Sequence, residues 1–211
     1  MTLGHLSETR KQKRGVLRQE NLLNAFLVLA AEHGIFHVSL DQVARHIGVA
    51  KATVYKHFAS KDEILALVYL RFYEPLTQQL MDLPHDLAVV PRLRRMVQLY
   101  LGYHLEDPKV SSLIMASKHF VDAKKLSPPL AERWQIFQRQ RIELADAIIK
   151  RGIDEQVFRP LDPRWLSEVG VRMLDGVLIC FFEMSVGERD ERHETLTREA
   201  EDMLIKSFMR V

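Results

Sequence analysis

The 211-residue chain is 47% apolar and 27% charged with a formal net charge of +2, which excludes a polycation, an acidic solvating tail and a membrane-spanning chain. One cysteine, Cys180, leaves no intramolecular disulfide framework and fits a reducing compartment. No apolar leader opens the chain and its most apolar run, residues 177–182, is too short to cross a bilayer, so a cytoplasmic location is expected.

The charge is unevenly spread. Residues 1–66 hold nine Lys/Arg against six Asp/Glu, and Arg10, Lys11, Lys13, Arg14 and Arg18 crowd the first eighteen positions. Residues 1–18 therefore read as a basic arm suited to phosphate contact, and equally as a solvated tail. A helix is predicted from residue 18 or 19 to about His33, with Leu22, Phe26 and Leu29 on one face and Gly34 as its C-cap.

Residues 39–58, SLDQVARHIGVAKATVYKHF, read as two short helices around a glycine turn. Ser39 and Gln42 have capping-box spacing, and Leu40, Val43, Ala44 and Ile47 form one apolar face. Gly48 can leave the helix at positive φ, after which Val54 and Phe58 turn inward and residues 51–57 present an outer face. This is the pattern of a helix-turn-helix, whose second helix enters the DNA major groove.

Residues 39–65, and above all TVYKHF followed by SKDE, resemble the DNA-binding region of the TetR family of transcriptional regulators. The resemblance implies an all-α fold of about nine helices. An N-terminal helix-turn-helix domain, residues 19–62, would precede a helical effector-binding and dimerisation domain, residues 63–211. It also implies DNA contacts by Arg14, Ser39, Lys51, Ala52, Thr53, Tyr55, Lys56, His57 and Lys61, with Thr53 at a base edge, Lys56 at either a phosphate or a guanine, and Tyr55 and His57 on phosphates. For Tyr55, packing against the first helix is the competing role.

Beyond the motif the sequence reads helical throughout. Ser60 and Glu63 cap a helix to about Leu80, in which Pro75 predicts a kink or break near residues 71–72. Residues 81–91 read as a loop, and a helix over 92–105 follows. Further helices are predicted from Pro108 to about Lys124 behind Asp107, from Pro128 to just before Gly152 behind Ser127, and from Pro163 to about Val186 behind Asp162. The last is expected over 191–209.

The helix from Pro163 is apolar on more than one side, so both faces need cover. With the last helix it can form half of an intersubunit bundle, the dimer that the resemblance implies, through Leu166, Gly170, Val177, Cys180, Met184, Leu196, Ala200 and Met203; the competing role is an interior helix of a monomer. Arg141 interrupts an apolar stripe of Leu130, Trp134, Phe137, Leu144 and Ile148. It either anchors an anionic effector, pairs with Asp175, Glu183 or another acid, or snorkels outward. Tyr100, Tyr103, His104, Met115, His119, Trp134, Phe137, Arg141 and Met173 are the candidate lining of an effector pocket, though each alone also suits plain core.

The partners expected are double-stranded operator DNA with palindromic half-sites, a second copy of the chain and a small, largely apolar effector. No membrane contact, metal or cofactor is expected; His104, His119 and Asp122 lack a metal-ligand spacing. Two other readings stay open. One is a DNA-binding or interaction protein without an effector. The other is a helical enzyme, for which no G-x-S-x-G, H-E-x-x-H, P-loop or Rossmann fingerprint is present.

Overall fold

The structure, a computed structural model, describes residues 3–210; the side chains of residues 3–17, 119, 186, 189, 190 and 193 lie outside the described set. The described residues form nine α-helices: α1 (Leu3–His33), α2 (Leu40–His46), α3 (Lys51–Tyr55), α4 (Lys61–Met81), α5 (Val89–Glu106), α6 (Pro108–Ser117), α7 (Pro128–Asp154), α8 (Pro163–Glu183) and α9 (Val186–Phe208). Two 3-10 turns, Lys118–Phe120 and Ala123–Lys125, join α6 to α7. No strand occurs among the described residues, only an isolated antiparallel bridge between Phe158 and Met209.

Helix starts follow the sequence closely where side chains cap them. Ser39 and Gln42 form both halves of a capping box at α2, and Asp162 accepts from the Trp165 amide 2.7 Å away at α8. Gly34 and Gly48 leave their helices at φ +83° and +69°. Beyond Gly48 the Val49 amide reaches back to the Ala44 carbonyl at 3.0 Å, closing the helix end as a Schellman-type turn does.

Six features differ from the sequence reading. Helix α1 begins at Leu3, not residue 18, because residues 5–14 contain no helix breaker and extend an already nucleated helix cheaply. Pro75 does not break α4; the Tyr103 hydroxyl donates to the Phe72 carbonyl at 2.8 Å, satisfying an oxygen next to the turn that Pro75 weakens. Helix α5 starts at Val89, with Pro91 tolerated in a first turn whose amides are unpaired anyway. Helix α6 stops at Ser117, and α9 starts early on a Ser185–Glu188 capping box. Gly152 does not end α7. It lies inside the helix, where an added Cβ would come within 2.0 Å of the Phe158 ring.

Two compact units result, Met1–Arg71 with Leu113–Trp134, and Phe72–Ser112 with Gln135–Val211. The first is built on Phe26, Val54, Phe58, Ile64 and Tyr69, all buried, with the Trp134 ring 5.1 Å from that of Tyr69. The second buries Leu101, Ile149, Phe158, Leu178, Phe181 and Phe208. Each such side chain contributes about 1.5–3 kcal/mol by leaving water. Helices α4 and α7 supply residues to both units.

Candidate nucleic-acid interface and ligand cavity

In the first unit α2 and α3 pack on each other through Val43, Ala44 and Val54. Val54 and Phe58 are fully buried, so the remaining α3 side chains face away: Lys51, Ala52, Tyr55 and Lys56 are exposed, Thr53 and His57 half-buried. Tyr55 is 51% exposed, so packing does not consume its ring. The Lys51 ammonium is paired with Asp41.

Two expected phosphate contacts already have partners. The Ser39 hydroxyl accepts the Gln42 amide and donates to Gln42 Oε1 at 2.9 Å. Lys61 donates to the Phe36 carbonyl at 2.7 Å, and burial pushes its ammonium below the usual lysine range. The Arg14 side chain lies outside the described residues. A cleft of about 690 Å³ between α1 and the helix-turn-helix is lined by Arg18, Asn21, Asn24, His46 and Thr53 among others.

The frame behind this face is hydrogen-bonded by residues whose roles are not apparent from the sequence. Buried Glu63 accepts the Ala59 amide at 2.6 Å, just past α3, and the Ser127 amide at 2.9 Å, at the start of α7. Burial raises its carboxyl, but the hydrogen bonds from Ser127 and Ala59 outweigh that and leave it below its ordinary value. Asp62 accepts the Asp122 amide at 2.9 Å, and Arg71 donates to Glu20 and Asn24, each at 2.8 Å. The sequence signals only a capping box at Ser60 and Glu63. The contacts to residues 122 and 127 are long-range and leave no local pattern.

The second unit contains a half-open cavity of about 100 Å³ between α4, α5, α7, α8 and α9. Leu76, Leu93, Leu144, Ile148, Val171 and Leu174 are among its apolar walls; Thr77, Tyr100, Ser167 and Arg141 are its polar contributors. Tyr100 donates to Asp175 at 2.7 Å and Ser167 to Asp146. Burial, then the nearby Tyr73 and Asp175, push the Tyr100 phenol well up. The Arg141 guanidinium lies 4.5 Å from the Tyr73 ring centroid and 5.9 Å from that of Phe137.

Of the nine pocket residues expected from the sequence, Tyr100 and Arg141 line this cavity. His104 stands against Tyr100 with ring centroids 4.7 Å apart, wholly buried, and neither ring nitrogen has a hydrogen-bond partner among the described residues. Burial, with a contribution from Arg141, pushes its imidazole down to about 3. Tyr103 is spent on Phe72, and Phe137 and Met173 lie outside the lining. Met115 and Trp134 belong to the first unit, while the His119 side chain is outside the described residues. The lining escapes sequence inspection because five helices each contribute a few ordinary apolar positions.

The expected interface residues also divide. Leu166, Gly170 and Ala200 point inward, and a Cβ on Gly170 would meet Phe208 of the same chain at 2.7 Å. They are core of this chain. Val177, Met184 and Leu196 are half-buried; Cys180 and Met203 are exposed. The outward apolar surface of α8 and α9 is carried by Met203, as expected, with Trp165 and Ile179, at 66%, 63% and 50% exposure. The periodicity places apolar residues on several faces of α8 and cannot say which one the chain covers itself.

No cluster of His, Cys, Asp and Glu among the described residues fits a metal, and no helix of the described residues is long and apolar enough to cross a membrane. A helix-turn-helix with an outward-facing second helix, on an all-helical chain with a separate ligand-sized cavity, defines the class of helix-turn-helix DNA-binding proteins. Residues 22–68 match the family described as bacterial regulatory proteins, tetR family, so the helix-turn-helix segment is a DNA-binding domain of the TetR type.

The chain is similar to nucleoid occlusion factor SlmA of Klebsiella pneumoniae (strain 342), at 24% identity over 176 residues, 82% of this chain and 85% of that protein. Its fold is similar to that of PfmR, a TetR family transcriptional regulator from Thermus thermophilus. The TM-score is 0.65 at 24% identity, covering 88% of this chain and 97% of that one. It is also similar to AibR, solved in complex with isovaleryl coenzyme A and operator DNA. There the TM-score is 0.63 at 16% identity, covering 91% and 98% of the two chains.

Proposed function

We propose that this chain is a dimeric, ligand-responsive repressor that reads a palindromic operator with α3 and leaves it when a small, largely apolar effector enters the second unit. The observation that carries the reading is the outward face of α3, with Ala52, Tyr55 and Lys56 exposed over a second-helix core of Val54 and Phe58. Lys51, Thr53 and His57 flank that face. Ser39 and Lys61 serve as phosphate contacts only by sharing groups already engaged with Gln42 and Phe36.

One head spans too few base pairs for useful discrimination, so two copies on adjacent half-sites supply it. The exposed stripe of Trp165, Ile179, Cys180 and Met203 is the surface we assign to that pairing. Ligand binding changes operator affinity only by its different affinity for the two head spacings. Helices α4 and α7, which contribute to both units, are the continuous elements able to carry that difference. This activity belongs in the cytoplasm.

Selection of bound duplexes from random DNA tests the reading. An inverted repeat should emerge, and absence of any enriched sequence rejects it. Similarity to a nucleoid occlusion factor favours a second reading, DNA binding without an effector. Operator affinity that no cavity-filling molecule alters would favour that alternative.

A further inference from the structure

We infer that the cavity of the second unit takes a compact, uncharged molecule the size of one six-membered ring, carrying a single hydroxyl that meets Thr77. The inference rests on the ligand-responsive reading above and adds the size and charge of the ligand.

The charge follows from groups on the wall that are already engaged. Arg141 is the charged side chain among the described residues that line the cavity. Its guanidinium lies 4.5 and 5.9 Å from the Tyr73 and Phe137 ring centroids and is engaged within the chain beyond those contacts. No acid is among the described residues of the lining, and Tyr100 and Ser167 give their hydroxyl protons to Asp175 and Asp146. A carboxylate would enter without a free cation and an ammonium without a free acid. An ionised group buried without a partner is strongly disfavoured.

Thr77 is the exception on this wall. It is 5% exposed on α4, and its hydroxyl has no hydrogen-bond partner among the described residues. The sealed, unpartnered side-chain atoms of the second unit belong to Arg92, His104, Ser111 and Gln138, so the Thr77 oxygen keeps accessible surface where the residue lines the cavity. A hydroxyl both donates and accepts, and a hydroxyl on the ligand satisfies it in either direction.

The apolar walls set size and shape. A dry apolar cavity of about 150 Å³ takes benzene. This one, half-open at about 100 Å³, encloses most of one such ring. Part of its wall is itself aromatic, because the Phe208 ring is seated against Gly170, where an added Cβ would come within 2.7 Å of it. Leu204 packs at the same point, 3.5 Å from that Cβ position. A flat ring stacks on such a wall in offset or edge-on geometry.

Binding of 4-methylphenol, toluene, benzoate and benzylammonium to the full chain, by isothermal titration calorimetry, tests the inference. The phenol should bind about threefold or more tightly than toluene, and at least tenfold more tightly than either ion. Thr77→Val should bring the phenol down to the toluene level and leave toluene unchanged; Leu144→Trp should abolish both by filling the cavity. Either ion binding as tightly as the phenol overturns the uncharged assignment, and equal affinity for the phenol and toluene overturns the Thr77 contact. Failure of all four probes to bind overturns the inference as a whole. The ligand-responsive reading is decided separately, by whether a cavity-filling molecule alters operator affinity. If Thr77→Val does not fold, the four probes on the unaltered protein still decide.

Discussion

The two units treat buried polar groups differently. In the first, buried Glu63 is satisfied by backbone amides from two other segments, and Asp62 and Arg71 tie α4 to residues 122, 20 and 24. In the second, wholly buried His104 has no hydrogen-bond partner for either nitrogen among the described residues, and Tyr100, against which it stacks, lines a cavity. A DNA reader needs side chains held at fixed spacing, which packing and saturated hydrogen bonds provide. A ligand site needs apolar space with a few polar groups in place, which lowers the stability of the empty protein. The contrast suggests where stability is held and where it is given up.

Truncation should expose that contrast first. Phe58→Ala, in the fully packed head, should cost about 3–5 kcal/mol in a denaturant titration. Leu144→Ala, at a half-buried position already facing the cavity, should cost only about 1 kcal/mol. Equal costs would break the comparison. Gly152→Ala, by pushing a Cβ into the Phe158 ring, should destabilise the second unit by about 1–3 kcal/mol.

His104 gives the contrast a pH dependence. Its folded pKa of about 3 lies below the ordinary histidine value of 6.5, so between those values the unfolded chain binds a proton that the folded chain does not. Its contribution is therefore intact above pH 6.5 and lost as pH falls toward 3, by at most about 1.4 kcal/mol per pH unit. His104→Phe should remove that part of the slope; identical slopes for both proteins between about pH 6.5 and 4.5 would show that the imidazole is not held neutral. The smallest effect falls on the exposed face. Lys56→Ala should weaken DNA binding by about 1 kcal/mol or less, leave stability unchanged, and reduce the salt slope by about one. An unaltered salt slope would remove Lys56 from the phosphate contacts.

The head was legible because its signals are local. Capping pairs three residues apart, a glycine at positive φ and inward valines at helical spacing each lie within a few positions of the structure they specify. What escaped was long-range. Glu63 reads as half of a capping box with Ser60, yet its side chain serves Ala59 and Ser127 instead of the Ser60 amide. Arg141 stood out as a charge on an apolar stripe, and it does line the cavity. Trp134 shares that stripe but sits seven residues, two helical turns, earlier on α7 and falls in the other unit. Gly170 read as a contact point between subunits because a small residue invites close approach; the approaching group is Phe208 of the same chain.

The central claim is that DNA reading and ligand sensing occupy separate units of this chain and are coupled. Fluorescence anisotropy of the selected duplex, titrated with the full protein in the presence of a small apolar molecule shown by calorimetry to enter the cavity, tests it most directly. The expected result is tight, salt-dependent binding that weakens at least tenfold as that molecule saturates, with Leu144→Trp binding DNA normally and ignoring it. DNA affinity unchanged at saturation would contradict the coupling.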